Sequence, residues 1–139
     1  MHSRKIIGYS LDKRITNDLV SKAFKNAYYS QNPDKNKKLI FHCDLGSQYT
    51  SNDLKELCKE SNITQSFSKK GCPYYNACIE SFHSSIKKKE IYRNTYRTFK
   101  EANIAIFKYI EGWYNRKRLH SSINYMTPDQ CELLARSVA

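Results

Sequence analysis

The sequence has no long apolar stretch, no C-x-x-C pair and few acidic residues. Its apolar runs fall far short of the roughly eighteen residues that a membrane span needs, and we expect no signal peptide. The five cysteines are an odd number without metal-ligand spacing, so we expect reduced thiols, some of them buried, and neither a disulfide framework nor a zinc site. These absences predict a cytoplasmic protein.

Basic residues strongly outnumber acidic ones. The 24 Lys and Arg against 13 Asp and Glu give a formal net charge of +11. On a chain of 139 residues, which is enough for one domain, this excess predicts a polyanionic partner, and nucleic acid is the commonest. A membrane surface or an acidic protein would match the same charge, so charge alone leaves these alternatives open.

Hydrophobic patterning predicts strands that alternate with helices. Short apolar runs indicate three strands, and the Leu-Ile-Phe centre of the run at 38–43 is expected to be buried. Capping residues, among them Thr16, Ser51 and Thr127, and apolar stripes, one of which starts at Phe99, indicate five helices. This order is typical of an α/β fold with parallel strand pairing, in which functional residues lie beyond the carboxyl ends of strands. The strands are predicted at 4–11, 38–43 and 63–67, and the helices at 17–31, 52–62, 76–89, 99–113 and from Pro128 onward.

Two carboxylates stand out from this pattern. Asp44 follows the strand at 38–43, and Glu80 lies in the helix at 76–89, with thirty-five residues between the two acids. Converging carboxylates repel each other unless a cation lies between them, and hard divalent cations, which serve phosphoryl transfer in pairs, prefer such oxygen ligands. Lys87 lies about two helical turns after Glu80, on nearly the same face, which suits contact with a DNA phosphate. The alternative is a turn aspartate and a solvated surface glutamate.

Several motifs of this sequence resemble those of the IS3-family transposases. Residues 41–51 resemble the family's second-aspartate motif, His-x-Asp-x-Gly-Ser-Gln-Tyr-x-Ser. Residues 69–89 resemble its glutamate motif, Lys-Gly-x-x-x-Asp-Asn-Ala-x-x-Glu-Ser-Phe, and the gap between the acids matches the family's D-(35)-E signature. The family's closing signature has its counterpart here in residues 109–115, 118–122 and 127–128, which resemble it. The resemblance therefore spans nearly the whole chain.

The resemblance implies a ribonuclease H-like fold and metal-dependent DNA cleavage and strand transfer. It implies that Asp44 and Glu80 are catalytic and hold Mg²⁺ or Mn²⁺, with two metals expected only where a third carboxylate is present. The implied partners are transposon ends and target DNA in the bacterial nucleoid, and no membrane. The residues predicted to contact DNA are Asn76, Ser84, Lys87, Arg116 and Arg118.

Two features depart from the family pattern. The family's first aspartate lies upstream in an Asp-x-Thr context that this sequence lacks, so we expect the first acid and the first strands to be missing. Asp12 is expected to be a turn residue and no substitute for that acid. Tyr75 stands where the family has an acidic residue. We therefore predict one partial catalytic domain over 1–139, with 98–139 as a C-terminal helical extension.

Missing strands also have a physical consequence, because they would leave an unpaired sheet edge and exposed apolar surface. We expect the chain to form a homo-oligomer or to pair with a complementing N-terminal fragment. Two other functions remain open: a catalytically inactive nucleic-acid-binding remnant, and a metal-dependent nuclease of the same fold. The closing signature favours a transposase over the nuclease.

Overall fold

The computed structural model describes residues 3–68 and 77–137. The chain divides into two compact units, Ile7–Ala77 and Met1–Ile6 with Cys78–Ala139, which we call the sheet unit and the helical unit. The predicted single domain with an extension at 98–139 stays a prediction. Within the described ranges, no helix has the length and apolar character needed to cross a membrane.

The sheet unit consists of two helices and two strands in alternation. The strands pair in parallel, in a register that runs from Leu39 opposite Ile63 to Cys43 opposite Phe67. A helical crossover between the strands makes this parallel pairing possible, because adjacent parallel strands cannot be joined by a tight turn. The elements are α1 Asn17–Gln31, β1 Leu39–Cys43, α2 Asn52–Glu60 and β2 Ile63–Phe67.

Capping residues set the starts of both helices, as predicted. The Thr16 side chain accepts a hydrogen bond from the Leu19 amide at 3.2 Å, and the Ser51 side chain accepts one from the Leu54 amide at 3.4 Å. The apolar residues of both helices pack against one side of the sheet, and together with that side they form the core of this unit. The core contains Phe24, Leu54 and Cys58, packed against Val20, Phe41, Tyr49, Leu57 and Ile63.

The other side of the sheet is open in the described residues. Phe41 points into the core, where its ring meets Phe24 edge-on at 5.6 Å, whereas Ile40, on the opposite side of the strand, is 73% exposed. Leu39 lies on the same side as Phe41 and is also exposed. The predicted burial of the β1 centre is therefore wrong for Leu39 and Ile40. The apolar run LIFHC is typical of a strand covered on both faces, but both helices of this unit pack on one face.

Residues 4–11 form no strand, so the predicted first strand is wrong. The backbone of this segment forms hydrogen bonds with side chains and not with a neighbouring strand. The Asn115 side chain accepts from the Ile6 amide at 3.0 Å and donates to the Ile6 carbonyl at 2.9 Å. Gly8 lies against α1 so closely that a Cβ there would come within 2.4 Å of the Ala27 nitrogen. Helix α1 adds two donors, Asn26 Nδ2 to the Tyr9 carbonyl and Ser30 Oγ to the Ile7 carbonyl.

The helical unit carries three helices and a π-helical segment. The predicted helix 99–113 continues as an α-helix only to Phe107 and then widens into π-helical turns. There the Asn115 amide bonds the Ile110 carbonyl at 2.9 Å, a spacing of five residues. Phe99, predicted to lie on the buried stripe, is exposed. The bounds are α3 Ala77–Lys89, α4 Phe99–Phe107, the π-helical segment Lys108–Tyr114 and α5 Pro128–Ser137.

The core of the helical unit lies under α3 and the π-helical segment. Phe82 and Ile86 of α3 are buried, and the Phe82 ring meets Tyr114 edge-on at 5.0 Å. Helix α5 starts at the predicted cap, since the Thr127 side chain accepts from the Gln130 amide at 3.2 Å and Gln130 Oε1 accepts from the Thr127 amide at 2.9 Å. This reciprocal pair is a capping box.

Candidate active site

Asp44 lies directly after β1, exposed at the carboxyl end of the strand, where the sequence predicted it. Its Oδ1 accepts a hydrogen bond from the Gly46 amide at 2.9 Å. A Cβ at Gly46 would lie 2.9 Å from the same oxygen, closer than ordinary contact permits. A side chain at position 46 would therefore have to displace the carboxylate from this position.

The rest of the Gly-Ser-Gln-Tyr-x-Ser motif folds the chain into the start of α2. The Gly46 carbonyl accepts from the Tyr49 amide at 2.9 Å and from the Thr50 amide at 3.2 Å. The Tyr49 ring packs against Phe41, and its carbonyl accepts from Gln65 Nε2 at 3.0 Å. The motif thus fastens the loop that bears Asp44 to β1, β2 and α2. Sequence reasoning had recognised the motif without finding these roles.

The surroundings of Asp44 hold its neighbours in their neutral forms. Burial, followed by the nearby Asp44 charge, raises the pKa of the Cys43 thiol to about 11. The same two causes, in the same order, raise the pKa of the Tyr49 hydroxyl. Neither group is ionised at neutral pH, so neither adds a negative charge beside the carboxylate.

His42 lies on the same side of β1 as Asp44 and is hydrogen-bonded to the neighbouring strand and to the residue just after it. Its Nδ1 lies 3.1 Å from Ser66 Oγ and its Nε2 lies 2.9 Å from Ser68 Oγ. The Ser68 amide also donates to the Cys43 carbonyl at 2.9 Å, which extends the pairing past the end of β2. The two serines that hold His42 carried no signal in the sequence.

Glu80 lies in the first turn of α3 and is exposed, and Ser84 and Lys87 are exposed farther along the same helix. Burial and the Lys87 charge lower the pKa of His83. Asp44 belongs to the sheet unit and Glu80 to the helical unit, so their convergence on one cation stays a prediction. Asn76 lies outside the described residues.

Arg118 is half-buried, and its guanidinium contacts buried side chains of the helical unit. Its Nη1 donates to Ser85 Oγ, which lies 2.8 Å from Tyr109 Oη, and its Cζ lies 5.3 Å from the Tyr114 ring centre. Arg116, by contrast, is exposed, with its Nε 3.9 Å from Asp129 Oδ2. The DNA contacts predicted for both arginines stay predictions.

Asn115, in the closing signature, has a structural role that sequence reasoning missed. It is only 1% exposed. Besides both peptide groups of Ile6, its side chain reaches Glu111 Oε2 at 3.4 Å, and its carbonyl accepts from the Asp129 amide at 3.0 Å. A polar side chain buried so fully needs partners, and here they tie residues 3–6 and the start of α5 to the π-helical segment. The signal for this role in the sequence was a single amide side chain, Asn115, directly after two aromatic residues.

The described carboxylates suit a hard divalent cation in chemistry and exposure. Asp44 and Glu80 are both exposed oxygen donors, the ligand type that Mg²⁺ prefers. Within residues 3–68 and 77–137, no group of three or more His, Cys, Asp or Glu side chains is arranged to hold a metal. Four cysteines are free thiols, as expected: Cys43, Cys58 and Cys131, which are buried, and Cys78, which is half-buried.

Comparison with known proteins yields two family matches and several relatives. Family models described as "Integrase core domain" match residues 1–73 and 61–128. The chain is 41% identical over 130 residues to the transposase for insertion sequence element IS904 of Lactococcus lactis subsp. lactis strain IL1403, covering 94% of this chain and 51% of that protein. It is 38% identical over 130 residues to the transposase InsF for insertion sequence IS3A of Escherichia coli strain K12, covering 94% of this chain and 44% of that protein. The chain thus spans about half the length of the curated relatives it matches.

Proposed function

Because the chain belongs to the integrase core family, we propose that it supplies catalytic residues of a DNA transposase, which cleaves DNA and joins the ends to a target. The observation that carries the proposal is Asp44, exposed at the carboxyl end of β1 and fixed by the Gly46 amide. The related transposases support the same activity. The small parallel sheet with helices on one face is in keeping with a ribonuclease H-like fold.

In this proposal Asp44 and Glu80 hold Mg²⁺ or Mn²⁺, and two ions only together with a third carboxylate. When bound, the ions activate the attacking oxygen and stabilise the leaving oxygen of a phosphoryl transfer. The Gly46 amide holds the Asp44 carboxylate in place. Lys87 meets a DNA phosphate beside Glu80, as its exposure allows.

A strand-transfer assay on this chain, with Mg²⁺ or Mn²⁺ and labelled DNA ends, tests the proposal. Asp44→Asn and Glu80→Gln should each lower product formation by at least about 100-fold, because each removes a charged ligand while keeping the shape. Glu56→Gln, at an exposed position of α2, is the matched control and should leave the rate unchanged. Equal product from all four proteins would overturn the proposal.

A non-catalytic nucleic-acid-binding function is the second candidate. The exposed Lys87, Lys88 and Lys89 at the end of α3 favour it, since they suffice for salt-dependent binding without any metal. In that case the chain binds DNA, and the wild type and Glu80→Gln give the same background in the strand-transfer assay.

The open face of the sheet supports a further part of the proposal. Ile40, an apolar side chain, is 73% exposed there, and a partner that covered it would remove apolar surface from water. We propose that a second copy of the chain, or a complementing fragment of the transposase, covers it. Through its net charge of +11 the protein would work on DNA in the bacterial nucleoid.

A further inference from the structure

Two cations are ordered around the single tryptophan of the chain. Lys89 Nζ lies 4.3 Å from the centre of the Trp113 ring, and Arg118 Cζ lies 5.9 Å from the same ring. Trp113 is half-buried, so part of its ring stays accessible. We call Lys89, Trp113 and Arg118 the tryptophan platform.

Further cations lie next to the platform. Arg93 Nε donates to the Lys88 carbonyl at 3.1 Å, which holds Arg93 at the end of α3. The Lys117 amide donates to the Trp113 carbonyl at 2.8 Å, which places Lys117 in the turn that directly follows Trp113. All three flanking side chains, Lys88, Arg93 and Lys117, are exposed.

The positive charge of this surface is not cancelled locally. Among the residues that the structure describes, the ion pairs involve other cations: Lys5, Lys22, Arg116 and Arg136. The acids nearest in sequence, Glu90 and Glu111, accept from the neutral groups of Asn94, Tyr96 and Asn115. Their two negative charges are outnumbered by the five cations at this surface: Lys88, Lys89, Arg93, Lys117 and Arg118. A cation over an aromatic face keeps its full charge, so the platform attracts anions.

We propose that the tryptophan platform is a second DNA-binding surface, which grips the phosphate backbone apart from Glu80 and Lys87. Lys89 continues the buried face of α3, because it follows the buried Ile86 by three residues. Glu80 lies nine residues before Lys89 and therefore points to the opposite side of the helix axis. The two surfaces therefore start from different faces of α3. This inference rests on the proposed function, from which it takes DNA as the ligand.

Three physical effects favour a phosphate backbone here. The contact with Trp113 orders Lys89 before binding, which reduces the entropy lost when it meets a phosphate. Several cations at one surface match the close spacing of charges along a duplex. The accessible part of the indole can contact sugars or unpaired bases, which stack on aromatic rings.

Salt-dependent binding of a labelled duplex to the full chain, followed by fluorescence anisotropy, tests this inference. The platform variant carries Lys89→Gln, which removes the platform cation nearest the Trp113 ring, together with Arg93→Gln and Lys117→Gln. Its matched control carries Lys25→Gln, Lys55→Gln and Lys59→Gln, which remove the same charge from exposed helix positions of the sheet unit. Each lost phosphate contact lowers the slope of log affinity against log salt by about one. We expect a slope lower by about two to three for the platform variant and by less than one for the control.

Trp113 emission gives a second and local readout, because no other tryptophan contributes. We expect DNA to change this emission in the wild type and in Lys87→Gln alike. A charge-preserving variant with Lys89→Arg, Arg93→Lys and Lys117→Arg should retain most of the wild-type slope and so separate charge loss from misfolding. Equal slopes for platform and control variants, or unchanged emission at saturating DNA, would overturn the inference alone. Absence of any DNA binding at low salt would overturn the proposed function as well.

Discussion

Gly46 illustrates how closely the backbone approaches the carboxylate that it positions. Its amide donates to Asp44 Oδ1, and the space where a side chain would begin is filled by that oxygen and by the Tyr49 ring. At Gly112, in the π-helical segment, nothing lies within 4 Å of the corresponding position. These two glycines therefore differ in what they do, although the sequence alone cannot distinguish them.

Replacing Gly46 by alanine should weaken cation binding at Asp44. The new Cβ must displace the carboxylate, and a displacement of about 1 Å at a catalytic group can cost up to about 100-fold in activity. In a titration followed by NMR, Gly46→Ala should need several-fold more Mn²⁺ than the wild type to broaden the signals around Asp44. Gly112→Ala is the control and should leave the titration unchanged while stabilising the fold by about 0.5 kcal/mol. Identical titrations for both variants would contradict the role given to Gly46.

Asn115 is the second residue whose role the structure reveals. Replacing it by alanine leaves both peptide groups of Ile6 without their partners, and each buried unsatisfied group costs about 1–3 kcal/mol. We expect Asn115→Ala to lower the free energy of unfolding by at least about 2 kcal/mol and to speed hydrogen exchange at the Ile6 amide. Asn94→Ala, which removes exposed hydrogen bonds to Glu90, should cost less than about 1 kcal/mol. An equal loss in both variants would argue against the tie.

At the scale of elements, the helices were predicted well and the strands less so. Each of the three N-caps taken from the sequence, Thr16, Ser51 and Thr127, accepts the expected bond. Local chemistry decides a cap, so a short sequence suffices to find it. Residues 4–11 failed as a strand because an apolar run cannot show whether a neighbour is there to pair with, and here Asn115 and α1 bond the backbone.

Helix α1 provides a direct test of capping. Thr16→Ala removes the side-chain acceptor for the Leu19 amide and should cost about 1 kcal/mol of stability. Thr16→Ser keeps the acceptor and should restore the wild-type value. Urea denaturation followed by circular dichroism measures both, and a Thr16→Ala protein as stable as Thr16→Ser would show that the cap contributes nothing.

At the scale of the whole molecule, the placement of the two acids along the chain was predictable and their mutual geometry was not. Asp44 ends a strand and Glu80 opens a helix, as the patterning indicated. Which side of β1 is covered depends on the helices that pack there, and a uniform apolar run gives no indication of that. Ile40 therefore emerged as exposed only from the structure.

The open sheet face should cause self-association. Replacing Ile40 by lysine removes apolar surface and adds like charges that repel each other, so the sedimentation coefficient at high protein concentration should fall toward the monomer value. Lys38→Ile, which adds apolar surface just before the strand, should act in the opposite direction. A wild-type chain that sediments as a monomer at all concentrations and melts cooperatively would refute the expectation.

His120 should make stability depend on pH. Burial, then the charges of Arg118 and Arg4, lowers its pKa to about 4, below the ordinary value near 6.5. The unfolded chain therefore binds this proton between about pH 6.5 and 4 while the folded chain does not, so stability falls as pH falls through that window. With solvent screening, the loss is of order 1–2 kcal/mol.

A comparison of unfolding free energies at pH 7 and pH 5 measures the effect. His120→Phe, which cannot titrate, should lose much less stability over this interval than the wild type. His83→Gln removes a histidine whose pKa is also lowered, but by less than that of His120, so it should reduce the pH dependence less than His120→Phe does. A His120→Phe protein with the full wild-type dependence would assign the titration to other groups.

The hydrogen bonds between Asn115 and residue 6 determine which substitutions this segment tolerates. The amide holds the peptide groups of Ile6 and leaves its side chain out of the bond. Position 6 can therefore accept many different amino acids without losing its anchor, whereas position 115 can accept almost none. Proline at position 6 is the exception, because it lacks the hydrogen that Asn115 accepts.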